Sequence, residues 1–401
     1  MVQRKKSGAV GVSANQLSDC RRQLPVAVYY SWLVLLFGCV SVVQGAVLPE
    51  ERGDILYHSY DGGGVTVDGP SVLVRKNFGD SVSAGYNYYV DNVSSASIDV
   101  ITTASPYTEQ RKENTILFDY LKDKTTMSFG YTRSVESDFD ATTGFINISQ
   151  DMFGDLTTVS MGFAVGDNII HQNGNDSFEE ESKVRNYRLS ISQVFSKSLI
   201  VAFALETITD EGFLNNPYRQ VRFEDATSAQ GYSYQPEVYP GTRTSNALAI
   251  RGKYYLEQRA AIFAGYRLFS DSWGIDASTI ELGYTLPYEE AWILETSIRY
   301  YDQSGADFYS DLYPFRDAQN FLARDKELSA FNSIAIGAGA SYEFDNQNWS
   351  AIKRASLNLH MDFFFFDYSD FRDLTQAGAV GSEPLYSFDA IVIRAFASIW
   401  F

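Results

Sequence analysis

Residues 388–401, FDAIVIRAFASIWF, constrain the fold more than any other stretch. Read back from the terminus, Phe401, Ile399, Ala397, Ala395, Ile393 and Ile391 make one apolar face, and Trp400, Ser398, Phe396, Arg394, Val392 and Ala390 make a mixed one. Alternation of period two is the signature of a β-strand. In a soluble sheet so apolar a last strand is an aggregation hazard, whereas in a membrane barrel it closes the sheet and meets lipid. A terminal Phe on such a strand also fits the signal read by bacterial barrel-assembly machinery. A soluble β-sandwich is the competing fold.

Composition favours the barrel. Aromatic residues make up 15% of the 401 residues, yet the mean hydropathy is −0.19. Membrane barrels combine these properties because only alternate residues face lipid. A helical membrane protein would instead show several apolar runs of about 20 residues. One such run occurs, at 26–43, after Arg4, Lys5, Lys6, Arg21 and Arg22. It reads as a secretory signal cut after Gly45, leaving 46–401 as a single barrel domain. A retained anchor, lipoprotein processing at Cys39 and twin-arginine export are the weaker readings. Both cysteines, Cys20 and Cys39, fall in this segment. Its removal excludes disulfides, thiolate nucleophiles and Cys-ligated metals. The formal charge of −18 argues against nucleic acid as a partner.

Alternating segments recur along the chain at 54–60, 71–78, 82–90, 115–122, 125–134, 142–150, 156–167, 185–195, 199–207, 246–256, 260–269, 275–286, 292–301, 333–344, 355–366 and 388–401. Sixteen strands fit this pattern; fourteen remain if 54–60 and 142–150 drop out. Tight turns follow the even-numbered segments, including one at 345–350, while longer connections fall at 91–112, 168–183, 210–243, 302–330 and 367–387. Up-and-down membrane barrels segregate their connections in this way, with short turns in the periplasm and long loops outside. A sandwich has no reason to. The expected fold is therefore all-β, a transmembrane antiparallel up-and-down barrel closed by the strand that ends in Phe401.

Sorting by face separates an uncharged outer set, typified by Leu248, Ile250, Leu357 and Leu359, from an inner set carrying charge. The inner, lumen-lining candidates are Asp119, Arg188, Glu206, Arg251, Lys253, Arg267, Glu281, Glu295, Arg299, Glu343, His360, Asp362 and Arg394. A charge facing lipid at the midplane costs about 2–4 kcal/mol, so the partition itself selects the lipid face. The aromatic, charged connection 302–330 either constricts the lumen or packs on its neighbours outside. The pairs Tyr88-Tyr89, Tyr254-Tyr255 and Tyr300-Tyr301 fit interfacial girdles. Gly62, Gly63 and Gly64 mark a turn, since no phosphate-loop Lys follows them. His360 shares the inner face with Ser356 and Asp362, but four extended residues separate Ser356 from His360 by about 13 Å, too far for a nucleophile and its base. No catalytic or metal motif is present, and no cofactor is expected.

The stretches DGGGVTVDGPSVLVRKNFGD from Asp61, SPYTEQR from Ser105, DKTTMSFGYTRS from Asp123, YPGTRTSNALAIRGKYYL from Tyr239 and ADFYSDLYPFRDAQNFLARDKELS from Ala306 resemble a family catalogued as domain of unknown function 3570. The resemblance extends over nearly the whole chain after the signal; 138–150 and 168–183 carry no family pattern. It implies a bacterial outer-membrane barrel with no established activity and no residues to carry over. The expected function is passage of small polar solutes or ions through the lumen of an outer-membrane barrel. A plugged scaffold for a periplasmic or surface partner is the alternative, and a lipid-modifying enzyme is less favoured because no Ser and His meet on the outer face.

Overall fold

A computed structural model describes residues 46–97, 107–344 and 351–401. The signal segment, both cysteines and the turn at 345–350 lie outside the described residues. The strands are β1 Arg52–Gly62, β2 Val65–Phe78, β3 Val82–Ser95, β4 Tyr107–Lys122, β5 Thr125–Val135 and β6 Phe139–Met152. Next come β7 Thr157–His171, β8 Glu179–Val194, β9 Leu199–Gly212, β10 Gln220–Glu224, β11 Tyr232–Pro236 and β12 Thr242–Tyr255. The chain ends with β13 Ala261–Asp271, β14 Asp276–Tyr288, β15 Trp292–Gln303, β16 Phe331–Phe344, β17 Arg354–Arg372 and β18 Leu385–Trp400. Sixteen of them form one closed antiparallel barrel, each paired with its neighbour in sequence except where the β10–β11 hairpin intervenes between β9 and β12.

Closure falls to the terminal strand. β18 pairs with β17 on one side and with β1 on the other, from Arg52 opposite Trp400 to Gly62 opposite Ala390. Neither edge of the sheet is left open, which removes the hazard that so apolar a strand would otherwise present. Register then fixes the faces, because residues directly opposite one another point to the same side. Ile55, Met161 and Leu357 are exposed at 62%, 63% and 54%, and Ile116, Leu205 and Leu248 share that side. Large apolar side chains thus form an exposed belt around the whole barrel. Water is a poor solvent for such a surface.

Several connections are shorter than expected, because the strands run on past their most apolar parts. The connection placed at 168–183 shrinks to 172–178, that at 367–387 to 373–384, and β4 takes in Arg111 and Lys112. The connection at 210–243 contains an unforeseen hairpin, β10–β11, whose short segments lack a clear period-two pattern. Tight turns at the opposite end place Asp123 (φ 56°) and Glu289 (φ 55°) in the left-handed region. The girdle reading needs one correction: Tyr254 and Tyr300 face outward, but Tyr301 is buried inside and Tyr89 stacks on His58. Adjacent residues of a strand point to opposite sides, so no tyrosine pair lies wholly at a lipid interface.

Candidate functional site

Strand register puts all thirteen lumen-lining candidates on the face opposite the apolar belt. Several are brought together as cross-strand ion pairs. Arg188 on β8 bonds Glu206 on β9 at 3.2 Å, and Arg394 on β18 bonds Asp362 on β17 at 2.6 Å. Asp119 pairs with Arg75 on β2 and accepts the Ser128 hydroxyl at 2.6 Å. His360 Nδ1 lies 3.8 Å from Glu295, reaching over β16 where only glycine leaves room: a Cβ on Gly339 would sit 2.4 Å from that ring nitrogen. Glu281 stands opposite Arg299 in register, and the Arg251 stem lies beside Gly265 near the Glu281 Cβ.

The remaining cations rest on aromatic faces: Lys253 over Tyr255, Arg267 over Phe269 and Arg299 over Phe364, at 5.6, 5.3 and 5.2 Å. Glu343 faces Ser356 near the tight-turn end. The wall therefore carries both signs of charge, interleaved rather than segregated. Around β12, β14 and β15, however, Arg251 and Arg299 flank Glu281, and Arg267 adds a third guanidinium on the intervening β13.

Sequence reasoning missed a second inner group. His58 Nε2 on β1 hydrogen-bonds Asp91 on β3 at 2.7 Å, Arg111 on β4 pairs with the other Asp91 oxygen, and Tyr89 meets the same imidazole nitrogen at 3.0 Å. Arg52, Asp54 and Glu113 are buried on the same part of the wall. Asp91 and Arg111 fall in the connection expected at 91–112, and only the extension of β3 and β4 beyond their apolar parts puts them on the wall. Arg75 was within reach of the face sorting, alternating with Leu73 and Ser71 on β2.

At the outer end the inner face changes character. Tyr301, Phe331, Phe364, Phe366, Tyr368 and Phe371 form a buried aromatic cluster. Tyr309, from the 304–330 connection, packs against it and against a second cluster built from Tyr239, Trp273, Phe308, Ala323 and Leu328. A third joins Val221 and Phe223 of β10 to Tyr313 and Leu322. The long connections thus have an apolar core of their own, a cap at the barrel's outer end.

Buried charge locks the cap. Arg222 is fully buried; its guanidinium bonds Glu383 at 2.6 Å and pairs with Asp311, tying together the 213–241, 304–330 and 373–384 connections. Arg324 bonds the other Asp311 oxygen at 3.0 Å. Burial works against the Arg222 charge, but its hydrogen bonds to Glu383 and Asp311 more than offset it and raise its pKa. Two consecutive residues span the opening. Tyr218 donates to Asp138 at 2.7 Å beside the β5–β6 turn, and Arg219 pairs with Asp325 of the β15–β16 connection. Those two connections stand on opposite sides of the ring.

No functionally curated protein matches the chain. Among solved structures, a bacterial polysaccharide outer-membrane secretin overlaps 88% of this chain and 100% of its own, with a TM-score of 0.48 and 6% identity. An anion-selective porin from Comamonas acidovorans overlaps 89% and 100%, at 0.39 and 9%. A FadL homologue from Pseudomonas aeruginosa overlaps 88% and 91%, at 0.41 and 9%. Overlaps this low assign no function. The family match spans β8 to the start of β17 with both large outer connections; the motifs noted at 61–80, 105–111 and 123–134 fall outside it, and it begins within 168–183, where no family pattern was visible. Residues 175–356 match the family described as Protein of unknown function (DUF3570), the one the chain's motifs resemble.

Proposed function

We propose that the protein is an outer-membrane diffusion channel for small polar solutes or ions, narrowed at its outer end by its own loops. The charged inner wall carries this reading. A barrel of sixteen strands is wide enough to hold water unless something fills it, and charges of both signs need water or partners. The exposed apolar belt supports a membrane location, and delivery through a barrel-assembly machinery that reads β18 belongs to the same proposal. Leu248, in the middle of β12, tests the location: in phospholipid vesicles Leu248→Arg is expected to lower unfolding stability by about 2–4 kcal/mol. A denaturation midpoint equal to that of wild type would sink the membrane assignment for this face.

The channel itself is tested by conductance in a planar bilayer. Stable current steps are expected from the intact protein. Because Arg251, Arg267 and Arg299 place three positive charges on neighbouring strands of the inner wall, replacing all three with Gln is expected to move the reversal potential in a salt gradient toward cation preference. No current from the intact protein, nor from one whose cap is removed, would overturn the proposal. The second reading is a scaffold that binds a periplasmic or surface partner and performs no chemistry; the packed order of the cap favours it.

A further inference from the structure

Glu109 at the start of β4, with Glu136 and Asp138 in the β5–β6 turn, gathers three carboxylates on the outer rim, their nearest oxygens all within 4.8 Å of one another. Three acids in proximity do not by themselves make a site. Glu136 adds an independent observation: its carboxylate is buried in the cluster, and neither oxygen has accessible surface or a hydrogen-bond partner among the described residues. The other two each accept a hydrogen bond on one oxygen: Ser137 N–H donates to Glu109 Oε1 at 2.7 Å, and the Tyr218 hydroxyl donates to Asp138 Oδ2 at 2.7 Å. A buried carboxylate with no donor is costly, and evolution seldom leaves one without a counter-charge. The nearby cation, Arg111, is already paired with Asp91 and makes no hydrogen bond to Glu136.

We infer that Glu109, Glu136 and Asp138 bind a calcium ion. All three ligands are hard carboxylate oxygens, the set that suits calcium rather than a transition metal. Oxygens about 2.4 Å from a common calcium ion are at most about 4.8 Å apart, a spacing the cluster already meets. Calcium tolerates irregular coordination and two-oxygen binding by a carboxylate, so Glu136 can present both of its oxygens while water fills the remaining positions. Binding also reaches the cap, because Asp138 holds Tyr218, whose hydroxyl in turn accepts the Asn173 N–H at 2.7 Å. The site therefore pins the 213–241 connection to the rim, an effect that does not depend on what passes through the lumen.

The test is calorimetric titration of calcium chloride into protein expressed from the full sequence, purified from membranes in detergent and stripped with chelator. Saturable uptake of a single equivalent is expected, at least about tenfold weaker in Glu136→Gln because ligand charge sets affinity. In chelator that variant should be as stable as wild type or more so, since the buried carboxylate is gone; a merely structural acid would behave oppositely. Calcium should slow proteolysis of the 213–241 connection in wild type and not in the variant. Should Glu136→Gln fail to fold, Asp138→Asn replaces it in the titration. The inference is overturned by no saturable uptake in wild type, by equal uptake in both variants, or by magnesium chloride binding as tightly as calcium chloride.

Discussion

Removing residues 306–329 and rejoining Gly305 to Ala330 through a short glycine-serine turn is expected to raise single-channel conductance several-fold and to lengthen open times. This segment supplies Phe308, Tyr313, Leu322 and Leu328 to two of the cap's buried clusters and Asp311 to its charge network. Without it, Arg219 loses Asp325, and the 213–241 connection is held across the opening only through Tyr218 to Asp138 and Arg222 to Glu383. The barrel itself should survive, because every strand pair around the ring is hydrogen-bonded without help from the segment. β15 and β16 pair directly from Trp292 opposite Tyr342 to Gln303 opposite Phe331. Heat-modifiable migration on gels checks that the barrel persists. An unchanged conductance with an intact barrel would mean that the cap lies beside the conduction path rather than across it.

The barrel was legible because its evidence is local. Alternation within each strand, the division between long and short connections, and the closing strand at 388–401 all follow from period-two geometry and need no knowledge of distant contacts. The same alternation sorted the thirteen inner-face residues, since one correct register determines every other position. What escaped depends on pairing between segments far apart in sequence. Asp91 and Arg111 look like loop residues until β3 and β4 are seen to continue through them, and only then do they meet His58. Arg222 and Glu383 are 161 residues apart, and nothing in either neighbourhood foretells their contact. Glu136 and Asp138 read as turn acids; Glu109 joins them only because β4 extends back to Tyr107 and pairs with β5. The connection at 302–330 allowed two readings from sequence, constriction or packing on its neighbours. The structure places it in a packed cap, tied by Asp325 to the residue that follows the opposite wall's anchor.

Charge within that cap makes it sensitive to substitution and to pH. Arg222→Met is expected to leave Glu383 buried without its ion-pair partner and Asp311 with Arg324 alone, costing about 3–5 kcal/mol in the cap while leaving the barrel folded. At about 1.4 kcal/mol per factor of ten, amide exchange in 220–236 and 304–330 should quicken at least about 100-fold, with exchange in β15 and β16 unchanged. The pH response has two parts of opposite sign. Burial alone would raise the Glu383 carboxyl, but the Arg222 hydrogen bonds overcome it and hold it below its usual range. Its contribution to closure is complete above the ordinary carboxylate pKa and is lost as pH falls through the lowered one. Glu237 behaves the other way. Burial, then the neighbouring Asp325 charge, pushes it up to about 7 against the pull of Arg219 and the hydrogen bonds from Tyr239 and the Arg324 N–H. The closed cap therefore binds a proton that an open cap releases at pH 6, so Glu237 disfavours closure increasingly from pH 4.5 to about 7, on the order of 3 kcal/mol in all. Closure is expected to be tightest in mild acid, between the lowered Glu383 and the raised Glu237. Mean current should fall as pH drops from about 7 toward 5, and Glu237→Gln, which holds its hydrogen at every pH, should flatten that fall. A current that rises over this range in wild type, or that falls equally in the variant, would remove Glu237 from the control of the cap.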